Sequence, residues 1–184
     1  MSESSAKAIS EFSRIVTPDR LGGAKVTEAI EASSSERAAV ARRLGILAVD
    51  RLTAQFEIKG LGRDLVRVQG SWEAAVQQAC VVTLVPVAQN LAGVIEASYE
   101  AAGGRRGAAD VESEIVIDPE AADPADILPA EGIDLGELVV QELAVALDPY
   151  PRVAGAEVPA AYKPPEEDED KGPFAALKVL KGDN

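Results

Sequence analysis

Leu52-Thr53-Ala54-Gln55-Phe56-Glu57-Ile58-Lys59 alternates apolar and polar side chains without a break. A β-strand turns successive side chains to opposite faces, so Leu52, Ala54, Phe56 and Ile58 are expected to line a core while their neighbours meet solvent. After Gly60-Leu61-Gly62 the same period returns over a longer span. Val66, Val68, Gly70, Trp72, Ala74, Val76 and Cys80 fall on one face, and Arg67, Gln69, Ser71, Glu73 and Gln77 on the other. A strand of this length is expected to bend at Gly70. Pro86 interrupts the next apolar run, Val81 to Val87, and another extended stretch follows from Gln89 to Tyr99.

Toward the N-terminus, Phe12 to Val16 and Lys25 to Ala32 read as strands, with Thr17-Pro18-Asp19 as a turn. Ser35 to Gly45 reads as a short helix: Ser35 is the expected N-cap, Arg42 and Arg43 suit the negative end of its dipole, and Gly45 stops it. Toward the C-terminus, Gly103-Gly104-Arg105-Arg106-Gly107 reads as a loop or hairpin tip, and Glu112 to Ile117 as a strand. Residues 118–132 form an acidic loop whose Pro119, Pro124 and Pro129 oppose regular structure. Asp134 then caps the clearest helix, paired with Glu137, with Leu135, Leu138, Val139, Leu143, Ala146 and Leu147 on one face, and Asp148-Pro149 ends it.

Strands that follow one another with little helix between them pair antiparallel. The expected class is α+β: a mostly antiparallel, strongly curled or barrel-like sheet with two covering helices, about 35–44 and 134–147. Residues 11–155 are expected to form one domain. A flexible terminus at 1–10 precedes it. A disordered acidic tail at 156–184 follows, with Phe174 to Lys181 as a short apolar hook.

Composition removes several kinds of chemistry. The 184 residues include no His and one Cys, so no His-based triad, His metal cluster, internal disulfide or thiolate zinc cage can form. Gly22-Gly23, Gly60-Leu61-Gly62 and Gly103-Gly104 lack the spacing of a phosphate-binding loop. Asp118, Asp123 and Asp126 lack that of a calcium loop. Cys80 reads as a buried, inert core thiol with no base beside it. The expectation is a protein without enzymatic activity, metal or cofactor. No apolar run approaches the roughly 20 residues of a membrane span. The opening Met1-Ser2-Glu3-Ser4-Ser5-Ala6-Lys7 lacks a signal peptide's pattern, so a cytoplasmic location is expected.

The net charge of −13 is unevenly distributed: residues 1–107 carry +1 and residues 108–184 carry −14. The acidic half repels nucleic acid at long range and suits a basic protein. Arg14, Arg37, Arg42, Arg43 and Arg51 are the candidate contacts for RNA or a partner, and they make a local positive patch if they converge. Ordinary solvation, with local pairing such as Glu36 to nearby arginines, is the competing reading.

Three stretches, in this order, resemble a bacterial family. Phe12-Ser13-Arg14-Ile15-Val16 is followed by Glu36-Arg37-Ala38-Ala39-Val40-Ala41-Arg42-Arg43-Leu44-Gly45. Cys80-Val81-Val82-Thr83-Leu84-Val85-Pro86-Val87 stands at the centre, and Ile133 through Arg152, ending in Asp148-Pro149-Tyr150-Pro151-Arg152, at the end. Together they resemble the YceD family of large ribosomal RNA subunit accumulation proteins. Pro173-Phe174-Ala175-Ala176-Leu177 is similar to the C-terminal hook of its proteobacterial members. The resemblance implies a cytoplasmic factor needed for accumulation of large-subunit ribosomal RNA, with that RNA's precursor or a basic ribosomal protein as partner, and neither DNA nor a membrane. Family genes commonly neighbour that of a small zinc-ribbon protein of the large subunit. The alternative is an acidic module that holds a basic partner without touching RNA. Many members carry a second Cys where Thr83 stands and others after the Pro-x-Pro at Pro149 to Pro151; this chain has neither, so no metal or redox role is carried over.

Overall fold

Two runs of alternating side chains become the two central strands of a sheet. A computed structural model describes residues 10–17, 25–61, 65–101 and 125–162. Several expectations fall outside them: the terminus at 1–9, the turn at Pro18-Asp19, Gly22-Gly23, the Gly103–Gly107 loop, the strand at Glu112–Ile117, residues 118–124 of the acidic loop, and the tail from 163 with its hook.

In chain order the elements are β1 (Ile15–Val16), β2 (Lys25–Glu31), α1 (Ser34–Leu44), β3 (Ala48–Leu61), β4 (Leu65–Ala79), β5 (Pro86–Glu100), β6 (Asp126–Ile127), β7 (Ile133–Asp134) and α2 (Leu135–Ala146), with a 3-10 turn at Ala160–Tyr162. The main sheet has the order β2-β3-β4-β5-β6, and β1 and β7 form a separate antiparallel pair. β2, β3, β4 and β5 pair antiparallel in succession, and β6 joins β5 in parallel.

The curled or barrel-like sheet expected from the strand lengths does not form. The sheet is open, with β2 and β6 at its ends, and mixed rather than closed. A barrel needs its two edge strands to pair; here the helices cover the apolar face instead. At Gly70, where a bend is expected, the β4 ladder runs through to both neighbours without a register shift. Gly70 stands opposite Phe56, and a Cβ there would meet Phe56 Cδ1 at 2.5 Å and the Gln55 carbonyl oxygen at 2.8 Å. The glycine makes room for an aromatic ring. The register shift in the β3–β4 ladder falls between Val49 and Arg51 instead. β6 is a further correction, because it places a short strand inside the stretch read as irregular. Pro86 opens β5, where a missing N–H is tolerated.

The inward residues of β3 and β4 are buried as the alternation requires, and they form one cluster with Val40 of α1 and Val139, Val140 and Leu143 of α2. Burying each Val, Leu, Ile or Phe among them contributes about 1.5–3 kcal/mol. α1 starts one residue earlier than expected, and its cap lies two residues earlier. Its cap is Ser33, whose hydroxyl accepts from Glu36 N at 3.4 Å while the Glu36 carboxylate accepts from Ser33 N at 2.7 Å. Gly45, at φ 66°, ends it. Asp134 caps α2 through Gly136 N and Glu137 N. The Glu137 carboxylate turns instead to α1.

Candidate functional site

The five candidate arginines occupy three places. Arg14 lies before α1, where its guanidinium donates to both Glu36 oxygens at 2.7 and 3.1 Å and stands 4.9 Å over the Phe12 ring. That contact holds the Glu36 carboxyl down at about 2. Arg37 donates to the Ala32 carbonyl at 2.7 Å. In the last turn of α1, Arg43 donates to Glu137 at 2.7 and 2.6 Å and to Glu11 at 3.1 Å. Its hydrogen bonds hold the Glu137 carboxyl at about 2 and raise the Arg43 pKa. Arg42 is exposed, and its guanidinium has no partner among the described residues. Arg51 is on the opposite side of the sheet, paired with Glu73 of the next strand.

These residues therefore do not converge. Arg14, Arg43 and Arg51 each meet a carboxylate of another element, 22, 94 and 22 residues away, and not the i,i+4 neighbour that local helix pairing supplies. Arg37 and Arg42 keep uncompensated charge.

The sheet face opposite the helices holds two features invisible in the linear sequence. One is a shallow depression of about 580 Å³ lined by Glu31, Arg51, Thr53, Gln55, Ser71 and Glu73. The other is a cross-strand alignment of cations: Lys25 faces Lys59, and Lys59 faces Arg67. Period-2 reading assigned Lys59 and Arg67 to solvent faces; only the register of three strands brings them together with Lys25.

Cys80 is fully buried, yet it lies outside the main core cluster. The chain turns there, with Cys80 N donating to the Val85 carbonyl at 2.9 Å and Leu84 N to the Cys80 carbonyl at 2.9 Å. Val81 N reaches the Pro151 carbonyl at 2.9 Å, and Val153 N lies 3.5 Å from the Cys80 sulfur. Hydrogen bonding from the Thr83 side chain, then from Val153 N, brings the thiol down to about 6 against the opposing effect of burial. Cys80 is buried as alternation predicts, but in a hydrogen-bonded bend and not within the main cluster. Among the described residues no three His, Cys, Asp or Glu side chains group to hold a metal ion, and no helix is long and apolar enough to cross a membrane.

The architecture defines a class: one open, largely antiparallel sheet with two helices on a single face. A family model described as large ribosomal RNA subunit accumulation protein YceD matches residues 68–181, more than half of the chain, and the chain belongs to that family. No curated protein and no solved structure matches it. The matched residues run from β4 through α2 and the Cys80 bend. All five candidate arginines lie before them.

Proposed function

We propose that the protein is a non-enzymatic factor in the accumulation of large-subunit ribosomal RNA, acting in the cytoplasm through contact with that RNA or with a ribosomal protein. The family match over residues 68–181 carries this reading. The sequence has no His to serve as an imidazole base. Within the candidate arginine set, contact narrows to Arg42 and Arg37, since Arg14, Arg43 and Arg51 are matched by carboxylates.

Depleting the protein from growing cells is expected to lower the ratio of large- to small-subunit ribosomal RNA, and the intact chain to restore it. An unchanged ratio overturns the reading. Ultraviolet crosslinking then separates its two forms: reads clustered on large-subunit RNA establish direct contact. The −14 charge of residues 108–184 favours a second form, capture of a basic ribosomal protein. That association survives ribonuclease treatment, whereas an RNA-bridged one does not.

A further inference from the structure

Among the described residues nothing covers the sheet face opposite the helices, and one row across it is cationic. The register sets Lys25 of β2 opposite Lys59 of β3, Lys59 opposite Arg67 of β4, and Arg67 opposite Ser98 of β5. Adjacent strands lie about 4.8 Å apart, so three positive side chains stand in file over about 10 Å. All three are exposed. Directly opposed like charges destabilise a sheet. One carboxylate offsets them: Glu57, in the adjacent row, pairs with both Lys25 and Lys59, which together hold its carboxyl below the usual range. Arg67 has no carboxylate partner among the described residues. Glu96, on β5, accepts from Gln69 at 3.3 Å instead.

We propose that Lys25, Lys59 and Arg67 form a binding row for the phosphate backbone of single-stranded RNA. The proposal rests on the ribosomal RNA reading above and gives it a place on the molecule. One shared carboxylate, Glu57, leaves the three cations in excess, and phosphates match that excess, turning an unfavourable alignment into a favourable one. Thr27, Gln69 and Ser98 border the row with neutral hydrogen-bonding groups. No aromatic side chain of β2, β3, β4 or β5 shares this outer face, so the row reads backbone rather than base.

The test uses the full chain and a fluorescein-labelled oligouridylate titrated at several potassium chloride concentrations. Each phosphate contact to a single strand adds about 0.7 to the slope of log affinity against log salt, so three contacts predict a slope of about −2. The Lys59→Gln, Arg67→Gln double variant is expected to reduce the slope to about −0.7 and weaken binding about tenfold at low salt. Parental slope and affinity in that variant overturn the row while leaving the RNA reading to the crosslinking result. Binding of polyglutamate in place of oligouridylate, lost in the same variant, overturns the assignment to RNA. A parent chain that binds neither probe overturns the row as well. Thermal melting separates lost binding from lost folding. Relief of opposed charges leaves the variant's melting temperature at or above the parent's, and a lower one assigns the row a structural role.

Discussion

Arg43, in the last turn of α1, and Glu137, in the first turn of α2, share two parallel hydrogen bonds of 2.7 and 2.6 Å. Each charge also suits its own helix, the cation near a negative dipole end and the anion near a positive one. The pair joins two helix termini that meet with complementary polarity. Bidentate geometry makes it stronger than a typical surface pair, although both side chains are partly exposed. Arg43→Gln is expected to cost about 1 kcal/mol in urea unfolding, and Arg42→Gln less than about 0.5 kcal/mol. Equal losses at the two positions would remove the pair from the account.

Acid should release these ties in a defined window. The Glu36 and Glu137 carboxyls are lowered from an ordinary 4.5 to about 2, each chiefly by hydrogen bonds from an arginine. A carboxyl depressed in the folded state contributes stability that is fully present above its unfolded pKa and lost as pH falls through its folded one. Melting temperature is therefore expected to fall between about pH 4.5 and pH 2. Glu137→Gln should make that fall shallower, and a variant that follows the parental curve refutes the assignment.

Gly136 tests packing against propensity. Alanine is the better helix former by about 1 kcal/mol, so propensity alone predicts that Gly136→Ala stabilises α2. Yet a Cβ there would collide with the Phe12 carbonyl oxygen and approach the Phe12 carbonyl carbon to 2.7 Å. The substitution is expected to destabilise by about 2 kcal/mol, because backbone rather than a flexible side chain must move. Calorimetry decides the sign.

Leu84 holds a backbone angle suited to glycine, with φ at 61°, and its side chain is 75% exposed. A left-handed conformation costs an ordinary L-residue about 1–2 kcal/mol, while glycine brings extra unfolded-state entropy of about 0.5–1 kcal/mol. Leu84→Gly is expected to raise stability by about 0.5 kcal/mol, the difference between those two effects. A loss of stability would show that the exposed leucine contributes a packing contact.

Strands β3 and β4 are legible in the sequence because alternation reports directly on which side chains leave water. The same pattern carries no information on whether two edges meet, so it could not separate an open sheet from a barrel. Ser33 and Ser35 are equally suitable caps by residue type; the reciprocal bonds to Glu36 choose Ser33. Composition shows that arginines are present but not that Glu36, Glu137 and Glu73 stand opposite three of them. The Lys25–Lys59–Arg67 row was hidden for a related reason, since it exists only once two inter-strand registers are set. The central and C-terminal motifs sit within the matched family residues, whereas Phe12 to Val16 and Glu36 to Gly45 precede them.

The β1–β7 pair sets an order on synthesis. Ile15 and Val16 find their partners at Asp134 and Ile133, while Ser13 Oγ and Arg14 N donate to the Asp134 carboxylate at 2.6 and 2.8 Å. Although Arg14 and Glu11 meet Glu36 and Arg43 of α1 much nearer in sequence, β1 thus has no pairing strand until more than a hundred later residues have been translated. Contacts this distant in sequence are slow to close and leave the early segment unsheltered meanwhile. β2, β3, β4 and β5 pair with near neighbours and can assemble as they emerge; β1 completes its ladder only once β7 has been made.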